Sequence, residues 1–209
     1  MKWALEEHFK TRVVFSRWFW KHGVPPTTSK CPVPANVPVV VLAKDPYRLN
    51  ESLFDFWKKR RPELKIGDSL SEFVRNPFVL YDNTYGLTTP HYRYTSPTDY
   101  WNQYHYAWLH WNAIQERRCV VSLERLVADP DKELKLIADT IGLTRRNPSG
   151  VMTIPDGAVL PSSDRNQTFI KPRKPREAAR LNSEDTAWIS QHVDWDIASH
   201  IGYQCRGDT

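Results

Sequence analysis

The sequence predicts an α/β fold in three layers, a short parallel sheet with helices on both faces. Three observations predict it. Two compact, uncharged, β-branched runs, Val37 to Ala43 and Cys119 to Leu123, read as strands buried on both sides. Helical patterns surround and separate them, the order of an α/β chain with a parallel sheet. Helix start and stop signals stand at the expected places: Ser96-Pro97 and Asp129-Pro130 at starts, Gly142 at a stop.

Taken in order, Lys2 to Phe9 predicts a helix with Trp3, Leu5 and Phe9 apolar and no capping residue ahead of it. Val13 to Ser16 predicts a short strand. Pro25 to Pro38 is a proline- and threonine-rich loop. After the Val37 strand, Lys44-Asp45-Pro46 leads into a helix from about Tyr47 to Lys59, with Leu49, Ser52, Leu53, Phe56 and Trp57 on one face. Gly67 to Asn76 predicts a short helix, and Pro77 to Thr95 an irregular aromatic stretch. From Ser96 to about Gln115 runs a helix whose Trp101, Tyr104, Trp108 and Trp111 form one stripe, read as core. Asp129 caps a helix with Leu134, Ile137 and Ile141 facing in. Asn182 or Ser183 caps another, carrying Trp188 and Ile189, and a last short helix ends at Ile201-Gly202.

Composition bounds the function. The 209 residues fit one domain (1–209), and 40% hydrophobic with 25% charged residues exclude disorder and collagen. The longest apolar run holds Pro38 and falls far short of the roughly 20 residues that span a bilayer. The first residues carry charges where an export signal needs an apolar core, so a cytoplasmic protein without membrane contact is expected. Three scattered cysteines, Cys31, Cys119 and Cys205, make neither a disulfide framework nor a zinc pattern. Charge is uneven: between Thr144 and Leu181 eight basic residues face three acids, an excess equal to the whole chain's +5. That segment, read as a basic loop, suits a phosphorylated ligand or a solvated surface. It has few interleaved aromatics and no nucleic-acid motif, so a nucleic-acid partner is not expected.

The strongest local unit is Val39-Val40-Val41-Leu42-Ala43-Lys44-Asp45-Pro46, continuing to Ser52. A buried parallel strand ends in a cation beside a helix start, the place where open α/β sheets bind ligands and anions. This unit resembles the 3′-phosphate site of sulfotransferases that use 3′-phosphoadenosine 5′-phosphosulfate (PAPS). There an Arg ends the strand and a Ser follows eight residues later; here Lys44 replaces the Arg and keeps the charge without the fork. The segment Val121 to Pro130 is similar to the family's strand ending Tyr-Glu-Asp-Leu and its Asp-Pro helix, with Ser122 and Arg125 departing from the pattern. Ser96 to Leu109 looks like the helix preceding that strand. Trp20-Lys21-His22-Gly23 resembles the family's Lys-x-His, with the spacing one shorter.

The resemblance implies a P-loop-NTPase-like fold and sulfuryl transfer from PAPS, the cosubstrate, to a hydroxyl or amine of a carbohydrate or small molecule. No metal is implied. It implies His22 as base, Lys21 as the cation assisting the leaving phosphate, and Lys44, Ser52, Lys171, Arg173 and Lys174 as donor-binding residues. Met1 to Phe9 resembles the helix that follows the family's phosphate loop, yet no Gly precedes Gly23. The expectation is therefore a domain lacking its first strand and loop, poorly active as it stands. Two rival functions remain: a catalytically inactive remnant or a nucleotide-binding protein, told apart by bisphosphoadenosine titration because a remnant should bind nothing, and, more weakly, a P-loop-type kinase. The kinase would need Gly-x-x-x-x-Gly-Lys-Ser/Thr, which is absent, and metal-binding carboxylates, for which only Asp45 and Glu124 stand at strand ends.

Overall fold

A computed structural model gives the structure of the chain. It describes residues 1–14, 17, 22–25, 32–60, 66–80, 92–154, 157–161, 168–172 and 180–206, with backbone alone at 92, 157–161 and 168–172.

Helix α1 (Lys2–His8) comes first. Strand β1 (Val39–Ala43) follows, then α2 (Pro46–Arg60) and α3 (Leu70–Arg75). Strands β2 (Phe78–Leu80) and β3 (Tyr92–Tyr94) pair antiparallel. Helix α4 (Pro97–Leu109) leads through a 3₁₀ helix (Asn112–Arg117) into β4 (Arg118–Ser122). Then come α5 (Leu123–Ala128), α6 (Pro130–Ile141), the antiparallel strands β5 (Gly157–Pro161) and β6 (Thr168–Pro172), α7 (Ser183–His192) and α8 (Trp195–Ile201). No helix among the described residues is long and apolar enough to cross a membrane.

Helices flank a short parallel sheet, as the β-branched runs predict. β1 and β4 pair in parallel, from Val39 opposite Arg118 to Ala43 opposite Ser122. Because side chains alternate along a strand, this register sorts them by face. Val40, Cys119 and Val121 pack with Leu5, Phe9, Leu126, Leu134 and Ile137, from α1, α5, α6 and the chain just after α1. Val39, Val41 and Ala43 face the other way, toward α4 and its buried Trp101 and Trp108. The α4 stripe is core on its inner side: Trp101 and Trp108 are fully buried. Each such ring, removed from water, contributes about 2–3 kcal/mol of hydrophobic stabilisation. A separate aromatic cluster of Phe54, Trp57, Phe73, Phe78, Tyr94 and Tyr100 roofs α2, α3 and the β2–β3 pair.

The caps follow the sequence signals. Ser96 Oγ accepts from Asp99 N–H, Asp129 Oδ1 from Lys132 N–H and Asn182 Oδ1 from Asp185 N–H. Gly142 ends α6 at φ +69° and Gly202 ends α8 at φ +98°, backbone that costs any other residue strain.

Several expectations are corrected. The first strand starts at Val39: Val37 N–H closes a turn on the Pro34 carbonyl, and the Arg117 guanidinium holds the Val37 carbonyl. Val13 and Val14 form no strand, since Val13 N–H is taken by the Glu6 carboxylate at 2.8 Å; Phe15 and Ser16 lie outside the described residues. Helix α4 stops at Leu109 because Arg118 reaches back to the Trp108 and Trp111 carbonyls at 2.6 and 3.3 Å. The stretch after Pro77 holds β2 and β3, and the basic segment holds β5 and β6. Helix α2 is phased differently: it buries Tyr47, Asn50, Glu51, Phe54 and Trp57, and Phe56 is exposed. Asn50 tolerates burial because its amide donates to the Pro46 carbonyl and to Thr98 Oγ1.

Candidate functional site at the carboxyl edge of the sheet

β1 and β4 end in register, so the residues that follow, Lys44-Asp45 and Leu123-Glu124, leave the sheet side by side. Asp45 N–H donates to both oxygens of Glu124 at 3.3 Å, closing the edge. The Tyr203 hydroxyl donates to the same carboxylate at 2.7 Å. Burial, and the adjacent Glu124 charge, push the Tyr203 phenol far above its ordinary value, so it stays a donor. Ser122 caps α5, accepting from Arg125 N–H at 3.3 Å, and donates to Glu124 at 3.4 Å.

Lys44 stands at the strand tip. Its carbonyl accepts from Trp101 Nε1 at 2.7 Å, which anchors its backbone to α4. Its ammonium donates to Ser52 Oγ, two turns along α2. Burial lowers the Lys44 pKa below its ordinary value, and the nearby Glu124 and Glu51 carboxylates offset this only in part. The side chain is a desolvated cation that gains from one more anionic partner.

Around this pair the charges interlock. Arg48 donates to Glu51 at 2.8 Å, and Arg180 N–H donates to the other oxygen of Glu51 at 2.7 Å. Burial alone would raise the Glu51 pKa, but these donors outweigh it and hold the carboxyl below its usual range. Arg180 Nη1 donates to both oxygens of Asp55, at 2.7 and 2.8 Å. Arg206 binds Asp45 at 3.2 and 3.3 Å and lies 4.3 Å above the Tyr47 ring. The N-terminus of α2, expected to serve an external anion, is capped by Asp45 itself, which accepts from Arg48 N–H at 2.9 Å. The Arg48 N–H at this helix end is therefore taken by the chain's own carboxylate.

The predicted residues divide as follows. Lys44 and Ser52 touch. His22 and Lys44 both line a cavity of about 420 Å³ beside β1. His22 is exposed, and α4 fixes its backbone: the Tyr100 hydroxyl donates to the His22 carbonyl at 3.2 Å and Trp108 Nε1 to the Gly23 carbonyl at 3.1 Å. Lys171 sits in β6 opposite Ala158, its side chain outside the described residues. Lys21, Arg173 and Lys174 lie outside them as well. Arg180, at the end of the basic segment, reaches Glu51 and Asp55 of α2, which flank Ser52 in sequence. Sequence reasoning did not assign Arg48, Glu51, Arg180, Tyr203 or Arg206 to this edge. Only Arg48–Glu51, three apart on a helix, carried a local signal.

No protein-family model, no curated protein and no solved structure matches the chain.

Proposed function

We propose that the chain binds a nucleotide carrying a 3′-phosphate at the carboxyl edge of β1 and β4, and that it belongs with PAPS-dependent sulfotransferases on a P-loop-like fold. The observation that carries this reading is the contact between Lys44 and Ser52, a cation and a hydroxyl eight residues apart across a strand-to-helix turn. Phosphate oxygens accept from both, and the anion restores to Lys44 the solvation that burial removes.

In the transfer step, the acceptor oxygen or nitrogen forms a bond to sulfur while the bond from sulfur to the donor's 5′-phosphate breaks. His22 takes the acceptor's proton, the role for which an imidazole near neutral pKa is suited. The departing bisphosphoadenosine carries the electron pair away, its growing charge met by Lys21. Lys171, Arg173 and Lys174 add positive charge toward the 3′-phosphate. The products are a sulfated carbohydrate or small molecule and 3′,5′-bisphosphoadenosine.

A second reading is a nucleotide-binding protein that transfers nothing. It is favoured by the Asp45 carboxylate on the α2 N-terminus and by the carboxylates that engage Arg48, Arg180 and Arg206. Incubation with PAPS and a panel of hydroxyl and amine acceptors separates the two. Transfer that falls at least tenfold in His22→Gln supports the enzyme. Bisphosphoadenosine binding without transfer supports the second reading, and absence of both overturns the site.

A further inference from the structure

Strand β1 has two edges, and β4 covers one of them. Among the described residues no strand pairs with the other. Alternate N–H and C=O groups of β1 point along that second edge, and Val39 to Ala43 make no backbone hydrogen bond there. The cavity beside β1 follows this edge. Six consecutive residues, Val37 to Leu42, line it, and no residue of β4 does. Successive side chains of a strand point to opposite faces, so a space touching all of them lies in the plane of the sheet. Leu5 and Leu143 bound it on the α1 and α6 side, Tyr104 and Trp108 on the α4 side. The cavity is a slot of about 420 Å³ between the two helix layers, where a further strand of the sheet would lie. Val39, Val41 and Ala43 are buried, and unpaired backbone groups beside them cost free energy comparable to lost hydrogen bonds.

We infer that this edge of β1 receives an extended strand from a partner protein, matching the five residues of β1, apolar on both faces and ending in a carboxylate. The two helix layers require side chains of both faces to be apolar, as in any strand buried on both sides. The carboxylate follows from charge. The Arg12, Arg17 and Lys44 cations line the slot, and no carboxylate does among the described residues. Arg12 is exposed and makes no hydrogen bond or ion pair. A second copy of this chain does not fit. Its own β1 lies between its own helices, so two such edges cannot meet, and the cations of both copies would face each other. Lys44 and His22 also line the slot, so the strand and the proposed nucleotide adjoin; the inference itself uses the β1 backbone and Arg12 and needs no nucleotide.

The test uses the whole chain without nucleotide and a fluorophore-labelled peptide, Gly-Ser-Val-Ile-Val-Ile-Glu. Fluorescence anisotropy is expected to show binding at least tenfold tighter than that of the same peptide N-methylated at two adjacent central residues, one of which must face β1. Amide hydrogen exchange is expected to slow at least tenfold at alternate residues of Val39 to Ala43 when the peptide is bound, with β2 unchanged. Arg12→Glu should weaken the Glu-ended peptide at least threefold and favour a Lys-ended one; the exchange pattern of the wild type stands as a readout whatever the variant does. Equal binding of the N-methylated peptide, no slowing in β1, indifference to Arg12→Glu, or a dimer that protects β1 without peptide overturns the inference. Bisphosphoadenosine titration, run separately, reports on the nucleotide site whichever way this result falls.

Discussion

Acidification is expected to destabilise this protein through one side chain, His105. In the folded chain burial holds His105 at a pKa of about 4, whereas an unfolded histidine titrates near 6.5. Between those values the unfolded state binds a proton that the folded state refuses. The sign follows: the stability is complete above about pH 6.5 and is lost as pH falls toward 4. Each pH unit of that window is worth about 1.4 kcal/mol, and the whole of it about 3 kcal/mol. That is a large share of a typical stability of about 5–15 kcal/mol. The ring neighbours are Trp101 at 4.3 Å and Tyr104 at 5.1 Å. Burial raises the Tyr104 phenol, so it does not titrate in this window. The assay is urea denaturation of the wild type and His105→Gln at half-unit steps from pH 7.5 to 4. The difference between the two stabilities removes every other titrating group. It should shrink by about 3 kcal/mol toward pH 4, since only the wild type loses stability through this ring. A difference independent of pH would refute the reasoning.

Three further changes test how the site is held. Gly202→Ala forces a side chain to φ +98° and its new methyl onto the Arg125 guanidinium, which pairs with Glu133; a loss of about 1–2 kcal/mol in thermal denaturation is expected, and an unchanged midpoint would contradict it. Asp129→Ala removes the acceptor for Lys132 N–H and should cost about 1 kcal/mol by the same measurement. Trp101→Phe keeps most of the ring but strips the donor from the Lys44 carbonyl, so about 1–3 kcal/mol of stability should go; bisphosphoadenosine binding that weakens by no more than the loss of ring volume would argue against Trp101 as the anchor of Lys44.

The frame of the sheet was legible because its signals are local. Val39 to Ala43 and Cys119 to Ser122 are uncharged and rich in valine, and Ser96-Pro97 and Asp129-Pro130 place cap and first turn side by side. Helix α5 was not legible: Ser122 looks like the end of a strand and is also the cap of the next helix. The inner face of α2 was misphased because polar Asn50 and Glu51 are buried, and their burial depends on Thr98 and Arg180, which lie 48 and 129 residues away. The β2–β3 and β5–β6 pairs escaped because strands of three to five residues beside prolines and charges leave little periodicity.

The candidate site divides along the same line. Lys44 and Ser52 sit on one strand–turn–helix unit, where spacing alone brings them together. Glu124 meets Tyr203 across 79 residues and Asp45 meets Arg206 across 161, and such pairings arise only when the chain has folded. Those distant partners decide the electrostatics of the edge. They hold the Asp45 and Glu124 carboxylates at the edge beside the Lys44–Ser52 pair.

The central claim is that this pair holds a 3′-phosphate, and calorimetric binding of 3′,5′-bisphosphoadenosine against 5′-adenosine monophosphate tests it most directly. The two ligands differ only by the phosphate in question. The account predicts that the wild type prefers the bisphosphate and that Lys44→Met loses about 1.5–3 kcal/mol of bisphosphate affinity, the scale of a charge-assisted hydrogen bond. The monophosphate, lacking the group that Lys44 meets, should bind the variant as it binds the wild type. Equal affinity for the two nucleotides in the wild type, or a bisphosphate affinity untouched by Lys44→Met, would contradict the account.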